Sequence, residues 1–472
     1  MTRQANDKLP ESGERKKRRR RHRKPLWAAA TAAVLVIAIA AGVVLRNNAD
    51  EKNASAGVIA EEAYPEMAPY PDAEKLDINS EEYSRAYESW WEDIRARQMQ
   101  ASEYADGMEP FFSAGIRQFL SGNEGENKVC SPINIYLALS MLAEVTDGES
   151  RQQILDLVGA DSIEALRTRA KAVWNVHYRN DGDTTSILAN SLWLNENIPY
   201  EQSALDRLAE NYYASAYQGT MGSEKFNRML QDWLNEQTGG LLEEQIRDVK
   251  LNPETILALA STIYYQAQWI NEFDKNSTAP DVFHAPSGDV TCDFMHGYGS
   301  ETYYEGEQFE AVSWGLDNNG DAMWFLLPRD GVMPEELLDD AEAMDFLLNG
   351  GSEGKQKNVL ADLTLPRIDI TSGMDLSEGL KELGVTDIFD GEASDFSPLT
   401  AESEGIFVSE VKHDVRIMAD EEGVSAAAYT VIMMDGSSAD PEEIEITLNR
   451  PFLFAVKGRD GLPLFVGCVN QP

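Results

Sequence analysis

The sequence predicts an α+β domain carried behind a single transmembrane helix. Three observations lead there. Residues 25–45, PLWAAATAAVLVIAIAAGVVL, run for 21 positions without a charge; helical patterns crowd the next part of the chain; strand patterns dominate the rest. Helices followed by strands favour segregated layers with antiparallel sheets over the alternating units of a parallel sheet. At 472 residues and 43% hydrophobic content, the chain can bury one large core with appendages.

Residues 1–24 hold 11 lysines and arginines against 3 acids. Alone, ERKKRRRRHRK (14–24) reads as a nuclear address or a nucleic-acid arm. The apolar run behind it changes that reading. At about 1.5 Å per residue it spans roughly 32 Å, close to a hydrocarbon core of about 30 Å. Positive charge just before the span keeps the N-terminus in the cytoplasm. The chain is therefore expected to sit in the cell membrane through residues 25–45, a signal-anchor with its folded part extracellular. The competing expectation is secretion after signal cleavage, for which Ala54-Ser55-Ala56 is a candidate site; that site lies well past a run longer than the usual signal-peptide core.

Beyond residue 24 the chain carries 29 basic and 78 acidic residues, a net of −49 within a total of −41. Charge of that sign repels nucleic acid, so no nucleic-acid partner is expected. Residues 46–106 read as an acidic, proline-bearing tether holding an amphipathic helix near 80–102. Tyr83, Tyr87, Trp90, Trp91, Ile94 and Met99 recur there at helical spacing, behind Asn79 and Glu82 as a cap pair. That helix is expected to pack on the following domain, with docking to a partner as the alternative.

The globular domain is assigned to residues 107–472. Its helical segments are 111–120, 133–145 and 150–159; its strands include 254–269, 322–328, 357–370 and 443–458. Cys130, Cys292 and Cys468 are odd in number and unclustered, which fits buried free thiols. The five histidines form no HExxH or HxxxH pattern, and no GxSxG, Walker or GxGxxG motif occurs. No enzyme activity, metal or cofactor is expected.

From Phe111 onward the chain resembles the serpin family of protease inhibitors. The residues that carry the likeness fall in the family's order: NKVCSPINIYLALSMLAEVTDGESRQQIL; FNRMLQDWLNEQTGGLLEEQI; the stretch with Trp269, Phe273, Thr278, Phe283 and Met295; LPRIDITSGMDLSEGLKELGVTDIFDGEASDFSPLT; and NRPFLFAVKGRDGLPLFVGCVNQP. The resemblance implies three β-sheets, about eight or nine helices and an exposed reactive-centre loop. It implies a monomer whose partner is a serine protease. The protease cleaves the loop, becomes acyl-linked to it, and is trapped when the loop inserts into the main sheet.

Residues 421–430, EEGVSAAAYT, match the family's hinge, the start of that loop: Glu421, Glu422, Gly423, Val424, Ser425, Ala426, Ala427, Ala428, Tyr429 and Thr430. An inserted strand points alternate side chains inward. With Val424 inward, so are Ala426, Ala428 and Thr430, all uncharged. Tyr429, bulkier than the family's usual residue, falls on the outer face; Ser425 stands where the family commonly has Glu. Gly423 is expected to supply backbone freedom. The commonest loop length puts the cleaved bond at Ser437–Ser438, with Met433 or Met434 as alternatives. A small residue before the cut suits an elastase-like or subtilisin-like protease. Trp269 matches the breach at the top of the main sheet. Ser131, Asn134, Ser261 and His413 match the shutter beneath it, with amide and hydroxyl exchanged between Asn134 and Ser261. That exchange predicts that the two side chains face each other.

Overall fold

The computed structural model describes residues 57–60, 64–72, 75–98, 104–122, 125–316, 320–424 and 442–472. The expected transmembrane segment, hinge residues 425–430 and the Ser437–Ser438 bond lie outside them. Among the described residues no helix is long and apolar enough to cross a membrane.

In chain order the elements are β1 (Gly57–Ala60), α1 (Glu81–Gln98), α2 (Glu109–Leu120), β2 (Lys128–Cys130), α3 (Pro132–Glu144), α4 (Gly148–Leu157), α5 (Ile163–His177), β3 (Arg179–Asn180) and β4 (Thr185–Asn195). There follow α6 (Gln202–Tyr212), β5 (Ala214–Gly219), α7 (Glu224–Gln237), α8 (Glu243–Ile246), β6 (Leu257–Gln268), β7 (Ala279–Ala285), β8 (Gly288–Glu305), β9 (Phe309–Leu316) and β10 (Asp321–Pro328). The chain ends with α9 (Pro334–Leu337), α10 (Ala341–Asn349), β11 (Gln356–Pro366), β12 (Ile368–Asp375), α11 (Ser377–Glu382), β13 (Lys412–Ala419), β14 (Gly423–Val424), β15 (Glu442–Thr447), β16 (Phe452–Lys457) and β17 (Pro463–Val469).

Three sheets result. One has the order β1-β5-β4-β6-β14, with β3 on β4; a second runs β15-β11-β8-β9-β10-β16-β17-β2, with β7 on β8; the third is the pair β12-β13. Runs that are apolar but for Lys457 make the centre: every residue of β16 and β17 is buried. Such continuous runs suit strands covered on both faces. Nearly all of α3 is buried too, as an all-round hydrophobic helix must be. It starts where Ser131 caps and Pro132 opens the first turn.

The α+β class holds, and three expectations are corrected. The described residues contain eleven α-helices rather than eight or nine, because α8 and α9 are four-residue turns and α1 precedes the domain. Part of the expected tether is ordered on the domain: β1 adds an antiparallel edge to β5, and the Tyr64 ring lies 5.5 Å from both Trp174 and Tyr178. Acidic composition hid these few anchoring residues. Helix α1 is capped by the Ser80 hydroxyl, which accepts from Tyr83 N at 3.0 Å, rather than by Asn79. It does pack inward, burying Trp90 and Ile94; Trp90 Nε1 donates to Asp181 Oδ2 at 2.8 Å. The three thiols are free, with Cys130 and Cys468 buried and Cys292 only partly so.

Candidate functional site

Between β6 and β13 no backbone ladder forms among the described residues. The two strands flank a crevice of about 30 Å³ lined by Ile263, Tyr265, Val415, Ile417 and Val424, among others. Strand β14 enters here: Gly423 pairs with Gln268 and Val424 with Ala267, antiparallel. Val424 is 3% exposed, so its side chain points inward.

A tight turn sends the chain from β13 into β14. Asp420 N donates to Gly423 O at 3.1 Å, and Asp420 Oδ1 accepts from Glu422 N at 2.9 Å and Gly423 N at 3.3 Å. Trp269, the breach candidate, holds the same turn: its N donates to Glu422 O at 3.2 Å, and its Nε1 donates to Asp420 O at 2.7 Å. Its ring packs edge-on against Phe273, which stacks on Trp314. Gly423 is corrected in its reason. It does not have the left-handed backbone; a Cβ there would lie 2.4 Å from Ala267 O. Close strand approach, not backbone freedom, requires glycine at this place.

Glu421 is buried, and its carboxylate accepts from Thr278 Oγ1 at 2.6 Å and from Arg367 Nη2 at 2.6 Å. Burial pushes this carboxyl up, but Arg367 and Thr278 outweigh it and hold the pKa below the usual range. Glu422 pairs with Lys275 at the surface. Charge and backbone bonds together thus fix Glu421 and Glu422, the first of the hinge candidates.

Deeper in the sheet, the four shutter candidates are brought together. His413 Nε2 accepts from Ser131 N at 3.0 Å. Burial pushes the imidazole pKa down to about 4, so the ring is neutral near pH 7. Asn134 Nδ2 donates to Ser261 O at 3.2 Å. The Ser261 hydroxyl lies 2.5 Å from Asn134 Oδ1 and 2.8 Å from Asn190 Oδ1. Asn134 and Ser261 therefore face each other. A hydroxyl has a single proton to give, so the two amide oxygens compete for it. Neither amide can turn to help, since Asn190 Nδ2 already donates to Tyr212 O at 2.8 Å.

Asn190 is the residue that sequence reasoning missed here, as were Asp420 and Arg367 near Trp269; Thr278 stood only among the residues that carry the family resemblance. Asn190 lies on β4, opposite Ser261 in the β4–β6 register; its one signal is a polar residue inside a buried strand.

This geometry accompanies clear likenesses. A family model described as "Serpin (serine protease inhibitor)" matches residues 111–472, and the chain belongs to the serpin family. Relatives include Serpin-ZX of Arabidopsis thaliana, 27% identical over 366 residues, 74% of this chain and 93% of the plant protein. Serpin B4 of Homo sapiens is 27% identical over 381 residues, 76% of this chain and 96% of the human one. In fold, the chain is similar to the thermophilic serpin tengpin in its native state, with TM-score 0.70, 24% identity and coverage of 79% and 95%. Human thyroxine-binding globulin with thyroxine gives TM-score 0.65, 21% identity and coverage of 80% and 99%.

Proposed function

We propose that this chain is a monomeric, membrane-tethered inhibitor of serine proteases that works as a suicide substrate. Residues 25–45 anchor it and the serpin domain stands outside the cell; secretion after cleavage near Ala54 is the variant of this reading. The protease nucleophile attacks the Ser437 carbonyl, the Ser437–Ser438 bond breaks, and Ser437 stays acyl-linked to the protease. The freed loop then enters the sheet as a strand and carries the protease with it.

The observation that carries the reading is the hinge. Gly423 and Val424 already pair with β6, and Val424 is buried beside the crevice between β6 and β13. An inserted strand that kept the alternation would bring Ala426, Ala428 and Thr430 to the same face, and none carries a charge whose burial would oppose insertion. A serpin that binds without inhibiting is the second reading, favoured only by Ser425 at a position where the family commonly has Glu.

The test mixes the full-length protein with an elastase-type protease and with a subtilisin. A complex that survives boiling in detergent, with a released fragment beginning at Ser438, is the expected result. A fragment beginning one to four residues earlier moves the bait bond toward Met433 or Met434. Cleavage without any complex, and without a rise in heat stability, overturns inhibition.

A further inference from the structure

A cavity of about 460 Å³ lies between α1 and the serpin body, with none of residues 421–424 in its lining. That volume is in the range of small-molecule sites, roughly 300–1,000 Å³. Helix α1 contributes Trp91 and Arg95, β4 contributes Ser186, and the turn joining β16 to β17 contributes Arg459 and Asp460.

The carboxylates in this wall are committed. Asp460 Oδ1 accepts from Leu462 N at 3.0 Å, while its Oδ2 takes the Tyr104 hydroxyl and lies 3.0 Å from His177 Nε2. Asp321 Oδ1 accepts from Arg459 N at 2.9 Å, and its Oδ2 from the Tyr265 hydroxyl at 3.0 Å. The lining arginines have partners as well, but a guanidinium carries five N–H donors, more than one acceptor can use. The Arg459 guanidinium stands 5.3 Å from the centre of the Trp91 ring. Ser186 is 2% exposed, and its hydroxyl has no hydrogen-bond partner among the described residues. A buried hydroxyl left so costs stability until something pairs with it. Arginines around an indole, with a buried hydroxyl unsatisfied, form an exception on a chain of net charge −41.

We propose that this cavity binds a small aromatic carboxylate, its anionic group held by Arg95 and Arg459 and its ring set against Trp91. The ligand bridges α1 to the serpin body, because Arg95 stands on α1 and Arg459 on the turn joining β16 to β17. Nothing in this assignment depends on the reactive loop, so it stands or falls apart from protease inhibition.

Indole-3-acetate is the probe, and tryptamine, with the same ring and the opposite charge, is its control. Calorimetric titration of the full-length protein should give saturable binding of indole-3-acetate and none of tryptamine. Losing one charge-assisted contact should weaken binding about tenfold or more. Arg95→Gln and Arg459→Gln are therefore expected to do so, while Lys250→Gln, the same charge change elsewhere, keeps wild-type binding. Arg95 is exposed on α1, so its variant folds even if the Arg459 variant does not. The proposal is overturned by any of three results: no saturable heat with indole-3-acetate, equal binding of tryptamine, or Arg95→Gln binding no worse than Lys250→Gln.

Discussion

Asn134 and Ser261 meet across the buried face of the main sheet with one proton too few, since Asn190 Oδ1 also reaches the Ser261 hydroxyl. Contacts that share a donor do not contribute additively. Asn134→Ser and Ser261→Asn, made singly and together, should therefore show a coupling of about 0.5–3 kcal/mol in chemical denaturation. A double variant equal to the sum of the singles would mean that the contact does not matter to stability. His413 makes a second prediction at this scale. Its folded pKa is about 4, against about 6.5 when unfolded. Between those values the unfolded chain takes up a proton that the folded chain refuses, so stability is full above pH 6.5 and falls as the pH drops. From pH 7 to pH 5 the loss is about 2 kcal/mol. Glu301, held up to about 7 by burial, pushes the profile the other way. The measurement is accordingly the difference between wild type and His413→Gln at each pH; equal slopes would show that the imidazole is not held neutral.

Strand β14 is only two residues long, yet it lies against β6 at close range. Its approach to β6 leaves no room for a Cβ at Gly423. Gly423→Ala must force the strands apart, and overpacking of this kind costs about 1–3 kcal/mol. The expected result is a lower unfolding temperature with faster proteolysis near residues 420–424; unchanged values would show that β14 is not held at this distance. Part of this was legible in the sequence. The meeting of Asn134 and Ser261 follows from their exchanged chemistry, while the inward direction of Val424 was the starting point of the alternation and is given by its burial. Other parts were not legible, for physical reasons. The Asp420 turn and the Arg367–Glu421 pair join residues whose spacing means nothing until β11, β12 and β13 are in place. Asn190 enters the network through a cross-strand register that no local pattern encodes. Strand β1 was lost in an acidic stretch because its pairing uses backbone groups, which every sequence carries.

Across the whole molecule, the proposed mechanism has the sheet accept a strand between β6 and β13, which form no ladder with each other among the described residues. If some ten ladder bonds form at about 1 kcal/mol each, insertion is worth on the order of 10 kcal/mol. In a domain of this size that corresponds to a rise in unfolding temperature on the order of 10 °C. Cutting the full-length protein between Ser437 and Ser438 should therefore make it much more resistant to heat. The register of β14 sharpens the prediction. Val424 is buried, so Ala426 belongs to the inward set and Ala427 to the outward one. Ala426→Asp should abolish most of the gain, because its carboxylate must enter the core without a partner, whereas Ala427→Asp should leave the gain nearly intact. Differential scanning calorimetry of the two cut variants decides between them. Equal losses from both would mean that the loop does not enter as an alternating strand, and the trap would need another source of energy.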